Sequence, residues 1–291
     1  HHVGPRGVYL GDGRDAPEMS YIGEHRPRVE DHRLLTGVGE FSDDLNRPGQ
    51  AYLYVLRAQE AHARILAIDT AAARKASGVL AVLTADDYLA DGLVPIVQYG
   101  NPKDVELKNR DGSPIFQTPL YPLAYEKIRR VGEGLAVVVA ESLAQAKDAA
   151  ELVDVETEPL SALPHIESAI APDAPAIWNE VPNNIIVDDV KGDAAAVDAA
   201  FARAAHTVRF ETFNNRVTGV PMEPRAAIGE YADGAFVLNA GGQGVVRFMN
   251  ELAPVFGVDT DRMRVISRDV GGGYGTRNST YSEFEIGRAH V

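Results

Sequence analysis

One stretch near the middle of this chain constrains its fold more than any other. LAVVVA (135–140) is an apolar run built on consecutive β-branched valines, which reads as a buried strand. SLAQAKDAAELV (142–153) follows. Its apolar positions Leu143, Ala146, Ala150 and Val153 fall at helical spacing, and Ser142 is placed to cap the start. VDVETE (153–158) then reads as a second strand. A strand–helix–strand unit of this kind requires a helix packed on a sheet, so the fold class is α+β or α/β. The connections elsewhere are too short and mixed for a full doubly wound sheet.

AYLYVLR (51–57) and VLAVLT (79–84) are further β-rich runs. Pro159, Pro164, Pro172, Pro175 and Pro182 punctuate residues 159–190, which reads as a linker crossing a surface and the place for a domain boundary. Beyond it, GDAAAVDAAFARAA (192–205) predicts a helix capped by Asp193. HTVRFETF (206–213) alternates like a strand. AAIGEYADGAFVLN (226–239) predicts two strands around Ala232, Asp233 and Gly234, a good hairpin turn. Residues 244–253 read as a helix ending before Pro254, and MRVISRDV (263–270) as a strand leading into GGGYG (271–275).

Composition mainly excludes. Across 291 residues, Asp+Glu 42 against Lys+Arg 28 leaves a formal charge of −14, which disfavours nucleic-acid binding because phosphates need a basic face. Cysteine is absent, so this chain offers no disulfide, thiolate metal site, iron–sulfur ligation or Cys nucleophile. No uncharged apolar run approaches the roughly 18 residues of a transmembrane helix. The chain opens on His1, and residues 1–18 are Gly/Pro-rich without apolar period. We expect Met19 to be the true start and 1–18 a leader of non-native origin. The final EIGRAHV (285–291) reads as a translated sequencing adapter, with the genuine protein expected to stop near Phe284. Both ends are expected to pack on nothing.

Gly271, Gly272, Gly273 and Gly275 would let backbone N–H groups approach an anion or an oxo group without side-chain obstruction. The loop matches neither G-x-G-x-x-G nor a P-loop, and a plain tight turn would use the same glycines. Gln243, in GGQG between a strand and a helix, can both donate and accept, which suits an oxo ligand or phosphate, or a simple capping turn. PMEPR (221–225) places Glu223 and Arg225 beside two prolines, and a fixed ion pair there would support a buried loop. His62 reads as a hydrogen-bonded structural residue at a strand end. No convincing metal spacing and no G-x-S-x-G is present.

Several segments taken together resemble one family. Arg28, Glu30, Asp31, Arg33 to Gly37, Asp43 and Asp44, then RAQEAHARILAID (57–69), GVLAVLTADD (78–87), RRVGEGLAVVVAES (129–142), AKDAAELVDVETEPL (146–160), PMEPRAAIGEY (221–231), the Gln243 region and DVGGGYG (269–275) follow its order. That family is the large, molybdopterin-binding subunits of the xanthine dehydrogenase/aldehyde oxidase/carbon monoxide dehydrogenase enzymes. The resemblance implies an α+β chain: an α/β-hammerhead domain over 19–165, a linker over 166–190, and over 191–284 the first part of a truncated molybdenum-cofactor domain. It implies that Gln243, Gly272, Gly273, Tyr274 and Gly275 bind the cofactor, with Gly273 and Gly275 as backbone donors, and that Asn278 lies toward substrate. No residue here is implied as a direct metal ligand, and the catalytic base Glu is expected downstream of this sequence.

The implied activity is oxidation of carbon monoxide, an aldehyde or an N-heterocycle with water-derived oxygen. The implied cofactor is molybdenum–molybdopterin in its cytosine dinucleotide form. Electrons would leave to a small 2Fe–2S subunit and a medium FAD subunit in a cytoplasmic dimer of heterotrimers. The 291 residues alone are expected to be inactive and to bind no stoichiometric molybdenum. Three departures stand out: Gly134 where the family usually has Pro, Tyr274 where it often has Phe, and Asn278 where xanthine-type members carry Glu, which argues against a purine. The competing reading is a non-catalytic hammerhead-fold binding or assembly module.

Overall fold

The computed structural model describes residues 27–97 and 107–285. The expected leader over 1–18 and residues 286–291 lie outside the described residues. In chain order the elements are α1 (Asp31–Leu35), β1 (Tyr52–Arg57), β2 (Ala63–Asp69), β3 (Val79–Thr84), α2 (Ala85–Ala90), β4 (Ile96–Val97), β5 (Pro119–Leu120), β6 (Lys127–Ile128), β7 (Gly134–Ala140), α3 (Leu143–Ala150) and β8 (Asp154–Pro159). There follow α4 (Ile166–Ala169), α5 (Ala194–Ala202), β9 (Ala227–Ala232), β10 (Ala235–Ala240), α6 (Val245–Val255) and β11 (Met263–Ile266). The described residues 27–39 belong to a small unit of their own. In it, Arg28 Nε reaches Asp31 Oδ1 at 2.8 Å in the first turn of α1, and the Thr36 hydroxyl closes the last turn on His32 O at 2.8 Å.

From Glu40 onward the chain is one unit. The valine run forms β7, the central strand of a three-stranded antiparallel sheet ordered β1-β7-β3. All seven of its positions are buried. The two-residue period divides them. Val138 and Ala140 pack with Val82 against Ala146, Ala149 and Ala150 of α3, while Val137 and Val139 pack with Leu123 and Ala85 on the other face. A strand covered on both faces shows a continuous apolar run rather than alternation. The helix begins as its cap predicts, with Ser142 Oγ accepting the Gln145 N–H at 3.3 Å.

The strand that follows does not return to the same sheet. β8 pairs with β2 in a second sheet, ordered β6-β2-β8, over Ala63, Ile128 and Leu135. Two sheets joined through α3 therefore replace a single layered βαβ.

The second half builds a third sheet, β11-β10-β9. Asp233 (φ +51°) and Gly234 (φ +76°) make the two-residue hairpin turn between β9 and β10. β10 and β11 run parallel, with α6 as the crossover. Phe248, Leu252 and Val255 of α6, at helical spacing, bury against Leu238 and Met263 in a core that also takes in Tyr88 and Ile96.

Four expectations need correction. Pro254 lies inside the last turn of α6 rather than after it. β11 stops at Ile266, and residues 267–270 continue without ladder pairing. HTVRFETF forms no strand: no described strand pairs with it, and Val208, Phe210 and Phe213 stand 91%, 84% and 78% exposed. Alternation selects a face, but a strand also needs a hydrogen-bonding neighbour. Glu285, expected to pack on nothing, is buried, and the Tyr88 hydroxyl donates to its Oε2 at 2.5 Å. Burial pushes the Glu285 carboxyl up to about 8, well above the ordinary carboxylate range.

The two-sided burial of β7 sets a stability test. Val138→Ala should cost about 2 kcal/mol in urea unfolding, because the gap opens under α3. Leu80→Ala, at a position 55% exposed on neighbouring β3, should stay within about 0.5 kcal/mol.

Candidate functional site

Because β10 and β11 are parallel neighbours, the loops leaving their C-terminal ends emerge side by side. This end of parallel strands is where open sheets bind ligands. Gly241–Gly244 leads from β10 into α6, and Gly271–Gly275 follows β11. Gln243 and Tyr274, 31 positions apart in sequence, thus belong to adjoining loops.

The contact between the loops is specific. The Gln243 backbone N–H donates to Arg277 O at 2.9 Å, and Gln243 Oε1 accepts the Gly275 N–H at 3.0 Å. That second bond identifies the amide oxygen, so the Nε2 end is left as a donor on an exposed side chain. It also corrects one expectation: the Gly275 N–H is engaged by Gln243, while the Gly273 N–H has no partner among the described residues.

Glycine is required here by space and by backbone angle. A Cβ at Gly273 would lie 2.5 Å from Gln243 Cδ, and Gly275 sits at φ +84°. Tyr274 adopts φ +53°, a strained left-handed conformation costing roughly 1–2 kcal/mol for a residue with a Cβ. Its ring lies over Gly272 and Gly219 and is 76% exposed. The turn ends with Asn278 N–H on Gly275 O at 3.2 Å, which leaves the Asn278 side chain exposed on the same loop.

Beneath the loop is a buried ion pair that sequence reasoning missed. Glu223 pairs with Arg277 at 2.5 Å, not with Arg225, and their side chains are only 6% and 2% exposed. The same carboxylate accepts the Gly271 N–H at 2.8 Å and the Ser42 N–H at 3.0 Å, while Arg277 Nη2 also donates to Glu223 O. Burial alone would raise the Glu223 pKa. The N–H groups of Gly271 and Ser42, and then the Arg277 guanidinium, outweigh it and hold the carboxyl below the ordinary carboxylate range. Arg225 instead stacks on the Tyr281 ring at 3.6 Å and donates to its hydroxyl, which in turn donates to Thr276 O. No local pattern marks Arg277, since it stands 54 positions from Glu223. Farther along, Thr280 N–H and Arg247 both bond to buried Glu251 of α6, tying the outgoing chain back to the crossover helix.

Comparison with known proteins agrees with this arrangement. Residues 36–161 match the aldehyde oxidase and xanthine dehydrogenase a/b hammerhead domain, and residues 177–287 match the molybdopterin cofactor-binding domain. The chain belongs to the xanthine dehydrogenase/aldehyde oxidase/carbon monoxide dehydrogenase family of molybdopterin-binding large subunits. It is 35% identical to the nicotine 6-hydroxylase large subunit of Paenarthrobacter nicotinovorans, over 90% of this chain and 31% of that protein. It is 30% identical to the carbon monoxide dehydrogenase large chain of Afipia carboxidovorans, over 92% of this chain and 33% of that one. The crystal structure of quinoline 2-oxidoreductase from Pseudomonas putida 86 superposes with a TM-score of 0.78 at 32% identity, covering 90% of this chain and 32% of the other. The chain therefore spans about a third of the length of these relatives. In this family member the two sheets around β7 belong to the hammerhead domain, and the β9–β11 sheet with its two loops to the cofactor-binding domain.

Two outcomes follow from the buried pair. Arg277→Ala leaves Glu223 buried without its counter-charge and should cost about 3–5 kcal/mol, measured by denaturant melts. Because the folded-state pKa of Glu223 is depressed, its contribution is full above the ordinary carboxylate range and disappears as pH falls through the folded value. Glu223→Gln should therefore be less stable than the parent at neutral pH, with the gap narrowing in acid.

Proposed function

We propose that this chain is part of the catalytic large subunit of a molybdenum hydroxylase acting on an N-heteroaromatic substrate. The observation that carries the reading is the Gln243 amide, whose oxygen is held by the Gly275 N–H so that its nitrogen is a fixed neutral donor beside the glycine loop. The residues fit molybdenum–molybdopterin. An oxo-rich complex needs donors without competing negative charge, and the unpartnered Gly273 N–H and the Gln243 Nε2 supply them where no side chain intrudes. When bound, that group supplies oxidative hydroxylation with oxygen derived from water.

The chain's own residues then have distinct tasks. Gln243 and Gly273 donate to the cofactor, and Gly272 and Gly275 shape the backbone that allows the approach. Tyr274 presents an exposed ring against which a flat substrate can lie. Asn278 offers a neutral amide on the same loop, without the carboxylate that xanthine-type members carry there, in keeping with a heterocycle other than a purine. The Glu223–Arg277 pair sets the height of the loop from below. No glutamate of this chain is given the role of base.

The nicotine and quinoline enzymes among the relatives support the substrate class, with carbon monoxide and aldehydes as the wider range of the reading. The reading includes the cytosine dinucleotide form of the cofactor and a cytoplasmic complex, a dimer of heterotrimers with 2Fe–2S and FAD subunits. These 291 residues contain no cysteine and so offer such clusters no ligand.

The test uses the full-length protein assembled with its partner subunits. Quinoline turned over in ¹⁸O-labelled water should yield hydroxylated product carrying one labelled oxygen. Gln243→Leu should lower activity or molybdenum retention by roughly 10–100-fold, as loss of a cofactor-orienting partner does, with an unchanged melting temperature. Unlabelled product, or a Gln243→Leu enzyme of full activity and metal content, would sink the assignment.

A further inference from the structure

A second site lies away from the glycine loop. A cavity of about 410 Å³ opens where the hammerhead meets the proline-punctuated connection, a volume within the range of small-molecule sites. Its lining includes three arginines, Arg129, Arg130 and Arg216, and no carboxylate. The lining itself thus carries only positive charge, which Glu133, Glu126 and Glu180 behind it partly offset.

The cations are held in different ways. Arg129 is stacked 4.0 Å from the ring centroid of Trp178, which is itself braced by Phe116 at 5.8 Å. Its Nη1 donates to Lys127 O, but its Nε is buried without an acceptor. Arg130 pairs only loosely with Glu133 at 3.3 Å, and that carboxylate also takes the Arg129 backbone N–H at 2.7 Å. Glu126 and Glu180 add attraction for Arg129 from outside the lining. Arg216 is exposed and has no ion-pair partner among the described residues.

His62, 5% exposed, forms part of the wall. Its Nδ1 lies 2.8 Å from Ser161 O, which can only accept, so Nδ1 carries the proton and the buried Nε2 is left without a partner. Neither nitrogen has a partner among the described residues: Arg129 Nε is a donor, and His62 Nε2 is an acceptor in this tautomer. The remaining lining is apolar, with Leu163, Ile177 and Ile186, except for Asn184, whose side-chain amide is engaged by the Ile177 N–H, Ala169 O and Pro175 O.

We propose that this cavity is a binding site for a small organic carboxylate with a compact apolar body. Guanidinium forks match a carboxylate in two-point geometry, and the apolar wall accommodates the rest of the molecule. An inorganic anion would use the charges and leave the apolar wall wet. The proposal does not rest on the cofactor reading: among the described residues no hydrogen bond or ion pair joins its lining to residues 271–275.

Trp178 is the only tryptophan in the chain, so its emission reports on this cavity directly. Cyclohexanecarboxylate, which does not absorb in the tryptophan band, should change Trp178 emission saturably in the 291-residue chain. Calorimetry should give the same affinity. Arg216→Gln and Arg130→Gln, both at exposed positions that spare the fold, should each weaken binding about tenfold. Cyclohexylmethanol, the neutral counterpart, and inorganic phosphate should bind far more weakly. Absence of saturable heat with cyclohexanecarboxylate, equal binding of the alcohol or of phosphate, or unchanged affinity in both arginine variants would overturn the proposal.

Discussion

The buried contact between Glu223 and Arg277 joins pieces of chain that no local rule would bring together. One carboxylate accepts from Ser42 near the start of the main unit, from Gly271 after β11, and from Arg277 beyond the glycine loop. Arg277 in turn presents its own carbonyl to the Gln243 N–H. The loop that carries Tyr274 is therefore suspended between a buried ion pair below and the Gln243 amide beside it. A buried charge pair of this kind adds little net stability by itself, because desolvation offsets most of the attraction. Its effect is to penalise any arrangement in which one partner is left alone. That penalty fixes the height and register of a glycine-rich segment that would otherwise be soft.

Strain and constraint are divided unevenly in the site. Tyr274 occupies a left-handed backbone angle that a glycine would hold at no steric cost, and its ring is mostly exposed. Gly273, by contrast, has no alternative, because a side chain there would collide with Gln243. A rigid backbone that displays an aromatic ring outward, next to an amide whose oxygen is already committed, is prepared to meet a ligand rather than to fill a core. The parallel pairing of β10 with β11 makes this possible, since it delivers both loops to the same sheet edge.

The local elements were legible because their determinants are local. Consecutive valines marked β7, Ser142 and Asp193 marked the starts of α3 and α5 through their caps, and Asp233-Gly234 marked the hairpin through its positive backbone angles. HTVRFETF was misread for the opposite reason. Its alternation is a property of the segment, but strand pairing is a property of two segments. Pro254 was likewise read as a stop, yet it lies in the final turn of α6, where it forgoes one bond to the carbonyl four residues back and only one helical residue follows it.

By itself the amino-acid order marked most of the helices, strands and turns, the need for a two-sided core around the valine run, and the neutral, glycine-rich character of residues 271–275. The family resemblance, rather than any local pattern, singled out Gln243 and Tyr274 as a pair. Only the tertiary structure decided that β7 and β8 enter different sheets, that Glu223 chooses Arg277 over the nearby Arg225, and that the Gln243 amide turns its nitrogen outward. Those choices depend on which distant groups share a desolvated interior. Spacing along the chain carries no information about that until the strands have paired.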